Sequence, residues 1–231
     1  MIDSPCLILA GGFGTRLRSV ISEVPKPLAP VGDIPFLHWL LRNLEYQGVK
    51  EVTLSLHHQA SLIEQYLESE SFGLKISTMI EPEPMGTGGA IAYVVNQQQW
   101  NGSFFTINGD TWLGAWAASL SRVNAPAIGL VQVEDASRYG RVDWQDQKVQ
   151  RFQEKKPHAG PGWINAGVYL LQASDFHNCD GQPFSLERDL LPRWAQQERL
   201  QACPLKTEFI DIGVPEDYHR FCEWHQSKKL T

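Results

Sequence analysis

The first eighty residues alternate between short apolar runs and amphipathic segments, and this alternation limits the fold more than any other feature. The runs PCLILA, EVTLSLH and LKISTMI have the length and composition of strands. Between them, PFLHWLLRNLEYQG and ASLIEQYLES carry apolar residues at helical spacing. Pro35 is expected in the first turn of the first helix, and Gly48 is expected to end it. This order predicts an α/β fold, a Rossmann-like mixed, mostly parallel sheet with helices on both faces.

The second half of the chain has a more antiparallel pattern. The strand SFFTINGD ends on Asp110, and AIGLVQVE, GRVDWQD, KVQRFQEK, INAGVYLLQ and EFIDI follow, with GRVDWQD and KVQRFQEK predicted to form a hairpin. Helices are expected at SLERDLLPRWAQQ, which Pro192 should kink or end, and at PEDYHRFCEWHQSKK. No repeat or linker divides the 231 residues, which favours one domain.

Composition limits the partners and the location. With 20 Lys and Arg against 26 Asp and Glu, the formal net charge is -6, which argues against a general nucleic-acid surface. The apolar run from Cys6 to Ala10 lacks a basic leader and is too short for a signal peptide or a membrane span, so a cytoplasmic protein without membrane contact is expected. The remaining cysteines, Cys179, Cys203 and Cys222, show no metal-ligand spacing and should be reduced. The eight tryptophans favour core packing but leave a homo-oligomer through an exposed aromatic patch open.

The segment LAGGFGTRLRSVISEVPKPLAPV places glycines and cations directly after the first strand. Gly11, Gly12 and Gly14 let the backbone approach a ligand closely and direct N–H groups toward it. Arg16 adds a planar fork for phosphate oxygens, and Lys26 adds a point charge held between two prolines. The spacing predicts one anion-binding loop.

Two common phosphate loops are excluded by inspection. The Walker pattern needs a Gly-Lys pair, and the chain has none. The dinucleotide fingerprint of NAD(P)-dependent oxidoreductases would need a glycine where Leu17 stands. For the glycines alone, a simple turn with solvated cations is an equal alternative.

The string LAGGFGTRL followed by PKPLAPV resembles the signature of the sugar-1-phosphate nucleotidylyltransferases. Further matches follow in the family's order between about Leu7 and about Asp217: EPMGTGGAI, INGD, FQEK, INAGVY and DIGVPEDY. The resemblance implies a nucleotide-diphospho-sugar transferase fold in a single domain, residues 1–231. A nucleotide-binding part would span about 1–115, and a sugar-binding part about 116–231.

The resemblance also implies an enzyme that joins a nucleoside triphosphate to a sugar 1-phosphate and releases pyrophosphate. The attacking phosphate oxygen is already an anion at neutral pH, so no general base is required. Catalysis then depends on holding two polyanions together and neutralising charge at the phosphorus and at the leaving group. Cations and metal ligands are therefore expected.

The same resemblance assigns the site residues. Catalytic residues would be Arg16, Lys26, Asp110, Lys155 and Asp211; nucleotide-binding residues Leu9, Gly11, Gly12, Gly14, Thr15, Gly86, Thr87 and Gly88; sugar-binding residues Gly140, Glu154, Lys155 and Asn165. Asp110 and Asp211 would hold Mg²⁺, whose preference for oxygen ligands suits two carboxylates beside phosphates. Taken alone, each aspartate would more simply be a turn or cap residue.

The substrates are less constrained than the reaction. The residues Arg18, Ser19 and Val20, where many thymidylyl- and uridylyltransferases carry a proline, and the run GWINAGVYLL are most similar to D-glycero-D-manno-heptose 1-phosphate guanylyltransferases. That similarity implies GTP as donor and GDP-heptose as product, for capsule or lipopolysaccharide biosynthesis. Glu81 and Glu83 are both candidate acceptors for guanine. The alternatives are a mannose or glucose 1-phosphate nucleotidylyltransferase using GTP, dTTP or CTP, and a non-catalytic regulatory homologue that binds nucleotide sugars.

Overall fold

The computed structural model describes residues 2, 4–17, 19–21, 23–153, 155–157, 160–179 and 181–229, with side chains as far as residue 227. Its strands are β1 (Cys6–Leu9), β2 (Pro30–Val31), β3 (Ile34–Pro35), β4 (Glu51–Leu56), β5 (Lys75–Ile80), β6 (Ser103–Asn108), β7 (Thr111–Leu113), β8 (Ala127–Val133), β9 (Arg141–Gln145), β10 (Lys148–Gln153), β11 (Gly162–Gln172), β12 (Gln201–Pro204) and β13 (Phe209–Asp211). Its α-helices are α1 (Phe36–Tyr46), α2 (Ala60–Ser69), α3 (Gly86–Gln97), α4 (Ala117–Leu120), α5 (Leu191–Gln196) and α6 (Pro215–Lys229).

Within the described ranges, nine strands form one sheet in the order β5-β4-β1-β6-β11-β8-β12-β10-β9. The four strands from the first half, β5, β4, β1 and β6, are parallel to one another. Strand β11 is antiparallel to both β6 and β8, and β9 and β10 form the predicted hairpin. Strands β8 and β12, both from the second half, are also parallel. The mixed α/β sheet is therefore confirmed, with most of its parallel pairs in the first half of the chain.

Apolar clusters cover both faces of this sheet. Strand β1 shows the division, because Cys6 and Ile8 join one cluster whereas Leu7 joins the other. Helices α1, α2 and α6 contribute to the first cluster, and α3 and α5 contribute to the second. Helices on both faces are confirmed. None of the helices in the described ranges combines the length and the hydropathy that a transmembrane span requires.

Two local features differ from the sequence-based expectation. The sequence predicts no strand at Gln201–Pro204, yet β12 lies between β8 and β10. The helix expected to kink or end at Pro192 is divided just before that residue. Leu186–Leu190 form a π-helix, and Pro192 lies in the first turn of α5. Proline is tolerated there because the first N–H groups of a helix have no intrahelical partner.

The ends of β1 and β6 determine where the loops meet. These neighbouring strands are parallel, with Leu9 paired to Asn108, so both chains leave the sheet at the same edge. Gly109 N donates a hydrogen bond of 2.9 Å to Leu9 O, and a Cβ on Gly109 would lie 2.8 Å from that oxygen. In open α/β sheets, ligands bind outside the carboxyl ends of the strands.

Candidate active site

A cavity of about 200 Å³, here called the loop cavity, opens between the loop after β1 and the Pro-Lys-Pro segment. Its lining residues are Leu9, Ala10, Gly12, Gly14, Thr15, Arg16, Lys26, Pro27, Gly109, Asp110 and Gly213. Gly14 has a φ of 60°, and a Cβ there would lie 3.2 Å from Lys26 Cβ. Glycine therefore allows the close approach of the two motifs, which form one cavity as the sequence predicts.

Lys26 begins a short 3-10 helix, Lys26–Leu28, and its prolines fix its position. Pro25 has extended backbone angles, φ -63° and ψ 149°, and Pro27 is buried. The Lys26 side chain is 11% exposed, and its Nζ donates a hydrogen bond to Asp110 Oδ2. A largely buried ammonium group needs anionic partners, so this corner of the loop cavity favours negative charge.

Asp110 and Asp211 lie side by side because strands β7 and β13 form a small two-stranded sheet. The sequence analysis did not predict this pairing. Strands β7 and β13 are antiparallel, with Asp211 opposite Thr111, and Ile212 N donates a 2.9 Å hydrogen bond to Asp110 O. Asp211 Oδ1 accepts a 2.7 Å hydrogen bond from Gly213 N. Burial and the charge of Asp110 raise the pKa of Asp211, while Lys26 opposes this rise.

The two carboxylates provide a donor set of the kind that hard divalent cations bind. Within the described residues, no group of three or more His, Cys, Asp and Glu side chains could hold a metal ion. A cation here would therefore need further ligands from phosphate oxygens and water, which is how Mg²⁺ is commonly held beside nucleotides. Burial, followed by the charge of Asp110, raises the pKa of Asp211, and an added cation would oppose both effects.

A second cavity of about 330 Å³, here called the α3 cavity, lies between the β1 loop and the start of α3. It is lined by Leu9, Gly11, Gly12, Phe13, Glu81, Pro84, Met85, Gly86, Thr87, Ala90, Asn108 and Asp110. Glu81 is 6% exposed, and it accepts hydrogen bonds from Ser55 Oγ at 2.8 Å and from Met85 N at 3.3 Å. Glu83 is exposed and does not line this cavity. The structure thus separates the two candidate carboxylates that the sequence left equivalent.

Glycine is required at Gly11 and Gly86 by close neighbours. A Cβ on Gly11 would lie 2.7 Å from Glu81 Oε1. Gly86 has a φ of 68°, and a Cβ there would lie 2.6 Å from the carbonyl oxygen of Phe184. A side chain at Gly11 would therefore displace Glu81, which lines the α3 cavity, and a side chain at Gly86 would clash with the backbone of Phe184.

Gly88 does not line the α3 cavity, although the sequence analysis placed it there. Its Cβ position is occupied by the ring of Phe184, with the nearest carbon at 2.1 Å. The Phe184 carbonyl also accepts hydrogen bonds from Gly88 N at 3.0 Å and Gly89 N at 3.3 Å. These N–H groups of the first helical turn already have a partner, and Phe184 accounts for glycine at position 88.

A third cavity of about 420 Å³, here called the β11 cavity, adjoins the carboxylate pair. Its lining residues are Arg16, Asn108, Asp110, Thr111, Tyr139, Gly140, Phe152, Gln153, Lys155, Asn165, Ala166, Gly167, Glu187, Phe209 and Asp211. Three of the predicted sugar-binding residues, Gly140, Lys155 and Asn165, thus line one cavity. The neighbouring lysine, Lys156, does not line it. Glu154, also predicted to bind sugar, lies outside the described residues. A Cβ on Gly140 would lie 2.9 Å from Gln153 O, which accounts for glycine there.

A bulge in β11 orients Asn165. Between Asn165 and Tyr169 the pairing with β8 shifts, because β11 has more residues than its partner over this stretch. Gly167, with a φ of 70°, lies in this stretch, and its N–H donates a 2.9 Å hydrogen bond to Asn165 Oδ1. A Cβ on Gly167 would lie 2.7 Å from Asn108 Nδ2, so the bulge can approach the end of β6 only as glycine.

The loop that carries Tyr139 is attached to α6. Arg138 Nη2 donates a 2.5 Å hydrogen bond to Oδ2 of Asp217, whose side chain is 6% exposed, and Arg220 contacts the other oxygen at 3.2 Å. Tyr139 packs edge-on against Phe209, with ring centroids 5.8 Å apart. Burial, followed by the charges of Asp211 and Asp217, raises the pKa of Tyr139 to about 12. This wall of the β11 cavity is therefore held by α6.

Glu187 is the main residue that the sequence analysis missed. It lines the β11 cavity from the π-helical turn Leu186–Leu190. The only local signal was Ser185, whose Oγ accepts a 3.2 Å hydrogen bond from Arg188 N, as a helix N-cap does. That signal locates the start of the helix, but it does not indicate that the next turn reaches a cavity built by other parts of the chain.

Asp110 borders all three cavities, and Arg16 borders the loop and β11 cavities. The α3 cavity and the β11 cavity therefore meet at one carboxylate, with the cation-lined loop cavity beside them. Ligands bound in the two larger cavities would approach each other at Asp110. This arrangement suits a transfer between two bound anions, since cations and carboxylates are concentrated at the contact point.

Known proteins of similar sequence cover almost the whole chain. The sequence profile of the family described as nucleotidyl transferase matches residues 6–227. A D-glycero-alpha-D-manno-heptose 1-phosphate guanylyltransferase of Campylobacter jejuni is 39% identical over 222 residues, which cover 93% of this chain and 97% of that protein. A protein of the same name from Aneurinibacillus thermoaerophilus is 37% identical, over 93% of this chain and 95% of the relative.

A solved structure also superposes on almost the whole chain. It is HddC from Yersinia pseudotuberculosis complexed with GMP-PN, with a TM-score of 0.85 and 36% sequence identity. The match covers 96% of this chain and 99% of HddC. The fold described above is therefore the nucleotide-diphospho-sugar transferase fold.

Proposed function

Because this chain belongs to the nucleotidyl transferase family, we propose that it transfers GMP from GTP to a sugar 1-phosphate, with D-glycero-D-manno-heptose 1-phosphate preferred. The products are GDP-heptose and pyrophosphate. The observation that carries the proposal is the position of Asp110 at the junction of the three cavities. The two relatives named as heptose 1-phosphate guanylyltransferases, each matched over more than nine-tenths of its length, support the choice of substrates.

Each cavity then has one part of the substrates to hold. The α3 cavity takes the nucleoside, the loop cavity takes the triphosphate, and the β11 cavity takes the sugar 1-phosphate. A phosphate oxygen of the sugar 1-phosphate attacks the α-phosphorus, the bond from that phosphorus to the bridging oxygen breaks, and pyrophosphate leaves with the electron pair. The nucleophile is already ionised, so positioning and charge compensation do the catalytic work.

The cations of the chain are placed for that compensation. Arg16 borders both the loop cavity and the β11 cavity, so its guanidinium can contact phosphates from either substrate. Lys26 lies in the loop cavity beside Asp110 and can exchange its carboxylate partner for a phosphate oxygen. Lys155 is exposed at the β11 cavity, where it can pair with the phosphate of the sugar 1-phosphate.

Asp110 and Asp211 are the residues that would hold Mg²⁺. When bound, the ion neutralises charge on the phosphates and on the pyrophosphate that leaves. Their adjacency, and the pKa of Asp211 raised by burial and by Asp110, support this assignment. Gly213 leaves room for these charged groups, because a Cβ there would lie 2.7 Å from Asp211 Oδ1 and 3.1 Å from Lys26 Nζ.

Guanine recognition is assigned to Glu81. The guanine base presents two adjacent donors, its N1–H and its 2-amino group, and a carboxylate can accept from both. Glu81 accepts one hydrogen bond on each oxygen from the protein, and a carboxylate has about four acceptor positions in all. Its burial in the α3 cavity, compared with the exposure of Glu83, is what supports the choice.

We place the reaction in the cytoplasm, where nucleoside triphosphates are available, and its product in capsule or lipopolysaccharide biosynthesis. The thiols of Cys6, Cys203 and Cys222 suit a reducing compartment.

The deciding experiment is a panel that measures pyrophosphate release. GTP, dTTP, CTP, UTP and ATP are each tested with heptose, mannose and glucose 1-phosphates, with Mg²⁺ and again with a chelator. Release with GTP and the heptose 1-phosphate that stops on chelation is expected. Release with a different pair would correct only the base or sugar preference. Folded protein that binds a nucleotide sugar but releases no pyrophosphate would overturn the enzymatic proposal.

A further inference from the structure

Glu187 has a carboxylate fixed by hydroxyl groups from three parts of the chain. Its Oε2 accepts hydrogen bonds from Thr87 Oγ1 at 2.5 Å and from Ser185 Oγ at 3.0 Å. Its Oε1 accepts a hydrogen bond from the hydroxyl of Tyr169 at 3.2 Å. No cation contacts it among the ion pairs of the described residues. The carboxylate is therefore held in one orientation while its negative charge is left available.

The number of acceptor positions leaves one place for a ligand. A carboxylate can accept about four hydrogen bonds, and three positions on Glu187 are filled by protein hydroxyls. The remaining position is on Oε1, and the side chain lines the β11 cavity, in which a donor can reach it. A phosphate would be repelled by this charge, whereas a hydroxyl group would be accepted.

Tyr169 connects two residues that line the β11 cavity, Glu187 and Asn165, although it does not line the cavity itself. Asn165 Nδ2 donates a 2.7 Å hydrogen bond to the Tyr169 hydroxyl, which in turn donates to Glu187. Tyr169 is fully buried, and this burial, with the nearby charge of Glu187, raises its pKa well above the ordinary value. The hydroxyl stays protonated as a donor. Because Asn165 Oδ1 is taken by Gly167 N, Asn165 presents a remaining N–H to the cavity.

We propose that Glu187 is a further sugar-binding residue, which accepts a hydrogen bond from a ring hydroxyl of the sugar 1-phosphate, and that Tyr169 is the positioning residue that aligns it with Asn165. This inference rests on the proposed function. A sugar hydroxyl both donates and accepts, so a carboxylate acceptor beside an amide donor matches it, or matches two neighbouring hydroxyls. The chemistry selects a polyhydroxylated sugar whose phosphate points away from Glu187, toward Arg16 and Lys155.

Thr87 extends the same connection toward the nucleotide. Its hydroxyl donates to Glu187 and accepts a 2.9 Å hydrogen bond from Leu186 N, and the residue also lines the α3 cavity. One hydroxyl group therefore joins the walls of the two substrate cavities. The position of Glu187 is set from the nucleotide side as well as from the sugar side.

The test compares Glu187→Gln and Tyr169→Phe with the wild type, and Arg188→Gln is the control because Arg188 is exposed on the same turn. For Glu187→Gln, the expected result is a KM for the sugar 1-phosphate raised roughly ten- to hundredfold, the range for a hydrogen bond to a charged group. For Tyr169→Phe the expected rise is smaller, about two- to tenfold, because Tyr169 positions Glu187 and Asn165 and does not itself contact the sugar. The Kd for GTP, measured by calorimetry without sugar, and the parameters of Arg188→Gln should change less than twofold.

A series of monodeoxy sugar 1-phosphates distinguishes a direct contact from a structural effect. In the wild type, one deoxy position should lower kcat/KM strongly. In Glu187→Gln, removal of that same hydroxyl should have little further effect, because its partner is already lost. Equal penalties in wild type and variant at every position would overturn the contact. A Tyr169→Phe variant with a lower Tm but an unchanged sugar KM would overturn the positioning role.

Sugar binding is also measured by calorimetry, apart from turnover, so the two proposals can fail separately. Weaker binding of heptose or mannose 1-phosphate to Glu187→Gln supports the inference even if the donor nucleotide is not GTP. Equal binding by wild type and variant overturns the inference while leaving the proposed reaction intact. Wild-type protein that binds a sugar 1-phosphate but releases no pyrophosphate overturns the proposed reaction only. Wild-type protein that binds no sugar 1-phosphate overturns both.

Discussion

Lys26 donates a hydrogen bond to Asp110, a residue 84 positions away in sequence, where the loop cavity meets the carboxylate pair. The ammonium group thus compensates part of the charge that Asp110 and Asp211 bring together. Burial and the neighbouring charge of Asp110 raise the pKa of Asp211, and Lys26 opposes this rise. A triphosphate entering the loop cavity would give Lys26 new partners and leave both carboxylates available for a metal ion.

Loss of either partner should reduce turnover strongly. We expect Lys26→Ala and Asp110→Ala each to lower kcat at least ten- to hundredfold, because a hydrogen bond to a charged group contributes about 1.5–3 kcal/mol. Pyrophosphate release measures the effect, and a thermal melt checks that the fold is intact. Lys50→Ala, at an exposed lysine, should behave as wild type. Near-normal activity in both site variants would contradict the assignment.

The base preference should depend on Glu81 and not on Glu83. Glu81→Gln removes an acceptor for the guanine N1–H and 2-amino donors, so kcat/KM for GTP should fall roughly ten- to hundredfold. Glu83→Gln is the matched control, because Glu83 is exposed outside the α3 cavity and should keep wild-type kinetics. Steady-state kinetics at saturating sugar 1-phosphate provide the comparison. Equal GTP kinetics in the two variants would exclude Glu81 as the guanine contact.

The attachment of the Tyr139 loop to α6 should matter for the sugar substrate. Asp217→Ala removes the buried acceptor of Arg138, which should cost about 1–3 kcal/mol of the free energy of unfolding. The β11 cavity wall would then be less fixed, and the KM for the sugar 1-phosphate should rise several-fold while the Kd for GTP changes little. Glu216→Ala, at the exposed neighbouring residue, is the control. A sugar KM unchanged by Asp217→Ala would show that α6 does not support the cavity.

His38 should make the fold less stable in mild acid. Burial lowers the pKa of His38, and Glu70 only partly offsets this effect. The unfolded chain therefore takes up a proton below about pH 6.5 more readily than the folded one, so the stability that neutral His38 provides is lost as the pH falls. In His38→Gln, the difference in Tm between pH 8 and pH 5.5 should be smaller than in the wild type. His219→Gln, at an exposed histidine, should leave that difference unchanged.

Local patterns were sufficient to predict the first half of the fold. Strands β1, β4 and β5 and helices α1 and α2 are each specified by their own apolar spacing, which depends little on distant residues. Strand β12 differs, because Gln201–Pro204 is short and polar at one end, and it is a strand only through pairing with β8 and β10. Its signal is nonlocal, so the sequence around it could not reveal it.

The candidate site divides in the same way. Arg16, Lys26 and Asp110 lie in distinctive local strings, and the structure brings all three to one cavity. Glu187 has an ordinary helical surrounding and gains its role from a π-helical turn and from contacts with Thr87 and Tyr169. Such a role arises only when distant segments pack together, and no spacing rule within one sequence captures it.

The junction at Asp110 also bears on how such a protein can diverge. Of the three cavities, Glu81 borders only the α3 cavity and Lys155 borders only the β11 cavity, whereas Asp110 borders every one. Under the proposed function, a substitution at Glu81 would act on the nucleotide and one at Lys155 on the sugar 1-phosphate. Relatives that use other bases or sugars are therefore expected to differ at positions that border one cavity, whereas a change at Asp110 would affect both substrates at once.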